Sequence, residues 1–305
     1  MLSLVIPIYN EKILINELAT RVVKAIELFT TNYEIIFVDD GSTDGSLEAL
    51  LSFHKENNHI KVLRLSKNFG HQSAFTAGLE YTKGDYIAMM DGDLQDPPEL
   101  LADMYQKIHA ENFDIISGKR TGRKGKSGLS IYTWLFHQIY SSLAGLKNIE
   151  NTGNFSMMTR NALNAMLSMK EKNRYLPGLR SFIGYTHGYV EYIRDDRYRG
   201  KSKMSFYKLM ILAADAIFAF SRFPIRFCIV LGIIGTIVFM VAGLYVLIAK
   251  ATGIALFGWS STMLSIYFLG SIQLIFMGIV GEYVYRIYKE SQNRPLYFVK
   301  DFYSN

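Results

Sequence analysis

The chain has 305 residues, a formal net charge of +6 and a pI near 9.1, and half of its residues are hydrophobic. A basic balance suits nucleic acid, anionic lipid or phosphorylated small molecules, but no zinc-ligand spacing, RNP-like aromatic motif or long basic run favours nucleic acid. Cys228 is the only cysteine, which excludes an intrachain disulfide and fits a reducing compartment.

From Leu2 to Gly118 two kinds of segment alternate. Short apolar or β-branched runs at Leu2–Pro7, Tyr33–Val38, Ile60–Leu65, Tyr86–Met90 and Phe113–Ser117 read as strands. Between them Lys12–Thr30, Asp44–Asn57, Gln72–Thr82 and Pro98–Glu111 carry helical spacing. The alternation predicts an α/β domain with a Rossmann-like, mostly parallel sheet. The first run begins at Leu2 with no basic segment and apolar core ahead of it, so no cleavable signal is expected. Lys119–Ser130 breaks the rhythm. It is rich in glycine and basic residues (Lys119, Arg120, Arg123, Lys124, Lys126) and reads as a mobile loop, either a solvated charged loop or, beside a phosphate site, one that clamps a diphosphate or lipid phosphate.

The apolar excess collects after Arg222. Ser205–Phe220 carries few charges and ends at Arg222 and Pro224, which predicts a helix lying in a membrane interface, with a core helix of the soluble domain as the alternative. Phe227–Ala249 is uncharged and long enough to cross a hydrocarbon core of about 30 Å. A second span is expected at about 261–283, with Gly253, Gly258 and Trp259 at the turn. Arginines and lysines flank the outer ends of the pair (Arg222, Arg226, Arg286, Lys289, Arg294, Lys300), whereas only Lys250 lies near the intervening loop. The positive-inside rule places both termini in the cytoplasm. The expected organisation is a catalytic domain over 1–204, an interfacial helix over 205–224, a transmembrane pair within 225–287 and a cytoplasmic tail over 288–305.

Ligands of open parallel sheets bind outside the carboxyl ends of the strands. Four predicted strand ends there carry polar residues: Tyr9-Asn10-Glu11, Asp39-Asp40, Ser66-Lys67-Asn68 and Asp91-Gly92-Asp93-Leu94-Gln95. Two carboxylates flanking one glycine can face a single cation, and hard oxygen donors select Mg²⁺ or Mn²⁺. The six histidines (His54, His59, His71, His109, His137, His187) have no metal-ligand spacing and are expected at the surface or at helix caps. No Gly-x-Gly-x-x-Gly fingerprint follows the first strand, which argues against a dehydrogenase.

The segments Val5-Ile6-Pro7-Ile8-Tyr9-Asn10-Glu11, Val38-Asp39-Asp40-Gly41-Ser42-Thr43-Asp44 and Asp91-Gly92-Asp93-Leu94-Gln95-Asp96-Pro97-Pro98-Glu99 resemble family 2 glycosyltransferases of the GT-A fold. With Asn68-Phe69-Gly70, Arg197–Lys203 and two C-terminal spans, the chain is similar to polyprenyl-phosphate glycosyltransferases. Within these it most resembles bactoprenol glucosyltransferases, relatives of dolichol-phosphate mannose synthase. The resemblance implies inverting transfer of a hexose, glucose from UDP-glucose, to undecaprenyl phosphate at a bacterial plasma membrane. By the same resemblance Pro7, Tyr9, Glu11, Asp40 and Asn68 line the nucleotide pocket with Asp39 close by. Asp91 lies near the ribose and metal, and Asp93 and Gln95 are metal ligands. Arg197, Arg199 and Lys203 meet phosphates near the membrane, and the family's example allows a homo-oligomer, a tetramer.

One position departs from the family pattern. Asn154 stands where members commonly carry an aspartate viewed as a catalytic base, and often also at Asn151. An amide cannot serve as that base, so the residue is expected to orient sugar or acceptor instead. Two other readings share parts of the pattern. A processive polysaccharide synthase usually carries Gln-x-x-Arg-Trp, and neither Trp134 nor Trp259 follows an arginine here. A non-catalytic membrane scaffold that binds nucleotide sugar is favoured only by the missing acid at position 154.

Overall fold

The computed structural model describes residues 1–123, 152–172, 174–194, 223–252 and 258–304. The expected interfacial helix up to Arg222, and Asn151, Arg197, Arg199 and Lys203, lie outside the described residues. The chain divides into two compact units: residues 1–142, 146–205 and 294–305 form the first, and 143–145 and 206–293 the second.

In the first unit β1 (Leu2–Ile8), β2 (Tyr33–Asp39), β3 (Ile60–Leu65) and β4 (Tyr86–Met89) alternate with α1 (Lys12–Glu27), α2 (Ser46–Glu56) and α3 (His71–Glu80). After α4 (Leu100–Ala110) come β5 (Ile115–Arg123), β6 (Thr152–Thr159), α5 (Arg160–Ser168), α6 (Leu176–Phe182) and β7 (His187–Arg194). A last strand, β8 (Val299–Tyr303), completes one eight-stranded sheet in the order β7-β5-β6-β4-β1-β2-β3-β8. β4, β1, β2 and β3 run parallel, and so do β5 and β7. β6 is antiparallel to β4 and β5, and β8 is antiparallel to β3.

β1 and β2 are buried along their whole length, as a sheet covered on both faces requires. Their side chains alternate between two cores. Leu4, Ile6, Ile35 and Phe37 enter the core shared with α1, α2 and α4. Val5, Ile36 and Val38 enter the core shared with α3, α5 and α6. Strand order reverses between β1 and β4, so the carboxyl ends of β4, β1, β2 and β3 lie side by side where a crevice forms.

Two segments differ from the sequence expectation. Lys119–Arg123, predicted as the start of a loop, continues β5, because β7 pairs with it in register through Arg123↔Arg194 across an irregularity between Arg120 and Gly122. Pairing along a neighbour outweighs the poor strand propensity of Gly118 and Gly122. The residues expected as a tail carry β8, which sits on the outer edge of β3.

The second unit holds α7 (Phe223–Ala251) and α8 (Trp259–Ser291), both longer than the expected spans. Cys228–Tyr245 and Phe268–Ser291 are apolar and long enough to cross a membrane, and none of either window is buried. Ile233, Ile237, Val241, Leu274, Met277 and Val280 are exposed, which a core helix of a soluble protein would not allow.

One buried ion pair locks the opposite, amino-terminal edge of the sheet. Glu34 accepts from Lys61 Nζ at 2.5 Å, from Ser3 Oγ at 2.6 Å and from the Lys83 amide at 2.6 Å. Burial alone would raise the Glu34 pKa, but these donors outweigh it and hold it below the usual value. Its stabilising contribution is therefore complete above the unfolded pKa and fades as pH falls through the lower folded value. Lys61→Met should strand the Glu34 carboxylate and cost about 3 kcal/mol, seen as a lower Tm of the detergent-solubilised chain at neutral pH.

Candidate active site

Each strand end at the crevice is fixed by bonds to its neighbour. Asn10 adopts a left-handed backbone with φ 53°. Its amide donates to Ser42 Oγ at 3.0 Å, and its side-chain oxygen accepts from the Thr43 amide at 2.8 Å. The Glu11 amide donates to Ser46 Oγ at 3.1 Å. These bonds tie the turn after β1 to the loop after β2, leaving the Tyr9 ring 42% exposed at the rim. Pro7 is buried within β1.

The loop after β2 presses against the loop after β3. A Cβ on Gly41, whose φ is +70°, would lie 2.6 Å from the carbonyl carbon of Lys67 and 2.7 Å from the Asn68 nitrogen. Only glycine fits there. Asp40 is buried, and its two oxygens accept from the Phe69 amide at 2.7 Å and the Gly70 amide at 3.0 Å. Asp39 is also buried, and its Oδ1 accepts from the Ser42 amide at 3.1 Å. Among the described residues Asp39 Oδ2 has no hydrogen-bond partner. Burial raises the pKa of both carboxyls above the ordinary aspartate value, against the bonds that lower it. Asn68 is exposed beside them.

At the end of β4 the chain turns through Asp91-Gly92-Asp93-Leu94-Gln95. A Cβ on Gly92 would meet Ile8 Cδ1 at 2.7 Å and the Pro7 oxygen at 3.0 Å, so this turn closes directly onto β1. Leu94 is buried with φ 56°, an uncommon conformation for leucine of the kind that concentrates at functional turns. Asp93 Oδ1 accepts from the Gln95 amide at 3.2 Å, and Gln95 is buried. Asp96, the next residue of the turn, is fully buried. It accepts from the Tyr192 hydroxyl and lies 3.6 Å from Arg120 Nη2, tying the turn to β5 and β7. Arg120 in turn donates from Nε to the Tyr192 hydroxyl oxygen at 3.2 Å, and its Nη2 would be 2.6 Å from a Cβ on Gly153.

Asn154, on β6, joins this group. Its Nδ2 lies 3.3 Å from Asp91 Oδ1 and 3.1 Å from His71 Nε2, while His71 Nε2 lies 2.9 Å from the same Asp91 oxygen. The orientation of the amide follows from its far side. Gln72 Oε1 accepts from the Leu176 amide at 3.2 Å, which turns Gln72 Nε2 toward Asn154 Oδ1 at 3.5 Å. Asn154 Nδ2 therefore faces Asp91, and Asp91 Oδ1 accepts from both Asn154 and His71. Burial would lower the His71 pKa, but the Asp91 hydrogen bond and the charges of Asp91, Asp93 and Asp40 raise it above its usual value.

Beneath Asn154 lies Arg180, whose guanidinium is fully buried and donates to the main-chain oxygens of Gly153 at 2.5 Å and Asn154 at 2.9 Å and to Ser156 Oγ at 2.5 Å. Burial pushes its pKa down to about 10. Burial, with the Arg180 charge adding to it, holds His187 near 4, so that imidazole is neutral against Ser117 Oγ at 2.8 Å.

The structure thus gathers Asp91, Asp93 and Asn154 at one end of β4 and β6, and Tyr9, Glu11, Asp39, Asp40 and Asn68 along β1 to β3. His71 is exposed at the start of α3, as expected, yet it is bonded to Asp91 at the crevice, because docking of α3 brings its first residue over the end of β4. The expectation for the histidines is corrected for His187, which is half-buried on β7 against Ser117, and His137 lies outside the described residues. His71, Gln72 and Arg180 were not read as site residues. The one sequence cue was the position of His71 and Gln72 directly after the Asn68-Phe69-Gly70 turn, a strand-end loop already singled out.

A carboxylate-lined crevice at the carboxyl end of a 3-2-1-4 parallel sheet, followed by an antiparallel β6, is the arrangement of a glycosyltransferase of the GT-A type, and the chain belongs to glycosyltransferase family 2: the family model described as Glycosyl transferase family 2 matches residues 3–167. It is 36% identical over 302 residues to an uncharacterized glycosyltransferase of Synechocystis, covering 98% of this chain and 95% of the relative. A second uncharacterized glycosyltransferase, from Bacillus subtilis, is 37% identical over 305 residues, 99% of this chain and 94% of the relative. A prophage bactoprenol glucosyl transferase homolog of Escherichia coli is 33% identical over 302 residues, covering 98% of each chain.

Because Arg180 grips main-chain oxygens, the Asn154 side chain can be removed without loosening β6. Asn154→Ala should lower turnover roughly tenfold to hundredfold by releasing Asp91, with Tm unchanged. Arg180→Ala should instead lower Tm, costing about 3 kcal/mol for the acceptors left unpaired. Steady-state kinetics and thermal melts on both variants check the contrast.

Proposed function

We propose that this glycosyltransferase moves glucose from UDP-glucose to undecaprenyl phosphate, with inversion, at the cytoplasmic face of a bacterial plasma membrane. The observation that carries the reading is the row of carboxylates at adjacent strand ends, Asp91 and Asp93 on β4 beside Asp39 and Asp40 on β2, facing one crevice. The buried Asp39 Oδ2 fits a base N–H donor, such as the imide of uracil. Pro7, Tyr9, Glu11, Asp40 and Asn68 complete the nucleotide pocket in this reading.

The oxygen donors of Asp91, Asp93 and Gln95 fit Mg²⁺ or Mn²⁺, which take part of their shell from substrate phosphates and water. Among the described residues no group of three or more acidic, histidine or cysteine side chains that could hold a metal ion forms. When bound, the cation offsets charge on the departing nucleoside diphosphate.

The acceptor carries its own nucleophile. A phosphomonoester has a second pKa near ~6, so its oxygen is anionic at neutral pH and needs orientation more than a base. That oxygen attacks the anomeric carbon from the face opposite the diphosphate. The new C–O bond forms as the bond to the β-phosphate oxygen breaks, and the nucleoside diphosphate leaves with the electron pair. Asn154 suits such a site: it donates to Asp91, where an aspartate would set two carboxylates against each other. Arg120, beside Gly153, and Arg197, Arg199 and Lys203 supply cations for the two phosphate groups.

The membrane reading rests on the exposed apolar faces of α7 and α8 and on chain order. β7 precedes this helix pair and β8 follows it, and both strands belong to one sheet. Only an even number of crossings returns the chain to the side it left. The name of the prophage relative supports the acceptor class.

Incubating the purified chain with UDP-glucose and undecaprenyl phosphate should give a chloroform-soluble lipid bearing one hexose, identified by mass spectrometry. An aqueous polymer, or no turnover of any nucleotide sugar in a donor panel, overturns the reading. Asp93→Ala should abolish transfer and the Mn²⁺ spectrum seen by electron paramagnetic resonance with UDP, while membrane insertion is retained. Full activity in that variant would remove the metal assignment.

A further inference from the structure

The segment that follows α8 is built onto the back of the donor pocket. Lys172 Nζ donates to the Arg294 oxygen at 2.6 Å, and the Tyr297 hydroxyl donates to Glu80 Oε2 at 2.5 Å near the end of α3. Phe302 stacks edge-on against Tyr81 with ring centroids 4.8 Å apart, and β8 pairs along β3 from Val62 to Leu65. At the top of that ladder the strand is irregular between Arg64 and Leu65, and the Ser66 amide donates to the Phe298 oxygen at 2.9 Å. The Phe298 ring then lies over Phe69, centroids 6.1 Å apart.

Phe69 belongs to the loop that holds Asp40. Its amide and that of Gly70 satisfy both Asp40 oxygens. Gly41 bounds the loop on the inner side at Lys67 and Asn68. On the outer side Ser66, Lys67 and Asn68 are exposed, and the described contacts that bound the loop there come from Phe298. Phe298 is itself 56% exposed.

We infer that Phe298 is a positioning residue of the donor site: it holds the Ser66–Gly70 loop so that two amides present Asp40 to the nucleotide. Phe298, in the segment after the helix pair, in this way serves the donor site of the catalytic domain, whereas Phe302 packs against Tyr81 away from the loop. The inference rests on the reading of Asp40 as a donor-pocket residue, and the arms of the test separate the two.

The test measures UDP binding by calorimetry on the full chain in lipid nanodiscs. Phe298→Ala should weaken UDP about tenfold, and raise donor KM alike while kcat moves less than about threefold. Phe298→Tyr should restore affinity to within about twofold, because the ring that covers Phe69 is kept. Phe302→Ala, in the same strand but against Tyr81, should lower Tm and leave UDP affinity within about twofold. Wild-type affinity in Phe298→Ala, or an equal loss in Phe302→Ala, overturns the inference. If Asp40→Asn binds UDP as the wild type does, the donor-pocket reading fails and the inference with it. If Asp40→Asn loses UDP and Phe298→Ala does not, the inference alone fails. Amide hydrogen exchange on the wild type needs no variant. UDP should slow exchange at Phe69 and Gly70 and, by reciprocal coupling, at the amides of 298–303; unchanged exchange at 298–303 overturns the inference.

Discussion

Four aspartates share one sheet edge, and burial raises the pKa of two of them, Asp39 and Asp40, against the hydrogen bonds that lower it. A buried carboxylate without donors protonates. The structure answers with the first turn of α3 and the loop ahead of it, which deliver the Phe69 and Gly70 amides to Asp40 and His71 to Asp91. The positive end of the α3 macrodipole points the same way. α3 is therefore less a spacer between β3 and β4 than the source of the cationic and N–H character that the acidic edge requires.

The same economy explains the floor of the crevice. Arg180 is a buried cation that grips carbonyl oxygens and a hydroxyl, so its charge fixes the course of β6 and lies beneath Asn154. Gln72, oriented by the Leu176 amide, settles which way the Asn154 amide faces. Elements on three sides, α3, α6 and β6, thus converge on the orientation of one aspartate. A small displacement of α6 would reach Asp91 through two hydrogen bonds.

The strands and the acidic edge were legible because each is written locally: apolar runs of strand length, with aspartates and glycines where they stop. Gly41 and Gly92 announce close approach for the same reason. The rest is not local. Lys119–Arg123 has the composition of a loop and becomes a strand only because β7 pairs with it. Val299–Tyr303 carries two charges in five residues, and its partner β3 is more than two hundred residues away in the chain. Arg180 sits in a helix sequence that suggests a solvated arginine, and its burial follows from carbonyls on another element. His71 has no metal-ligand spacing and acts through one carboxylate. What Arg197, Arg199 and Lys203 touch is not written in their own spacing, since phosphate contacts and solvated loops draw on the same residues.

β8 has a consequence for how the molecule is made. It follows the long apolar helices in the chain and is synthesised after them, yet it covers the edge of β3 in the sheet that begins at Leu2. Until α7 and α8 have been translated, β3 is an open edge of the kind that invites pairing with other chains. Completion of the sheet is thereby timed to follow synthesis of the apolar pair. A ribosome stalled within α8 would carry a domain with every carboxylate of its site already made and one wall of that domain still missing.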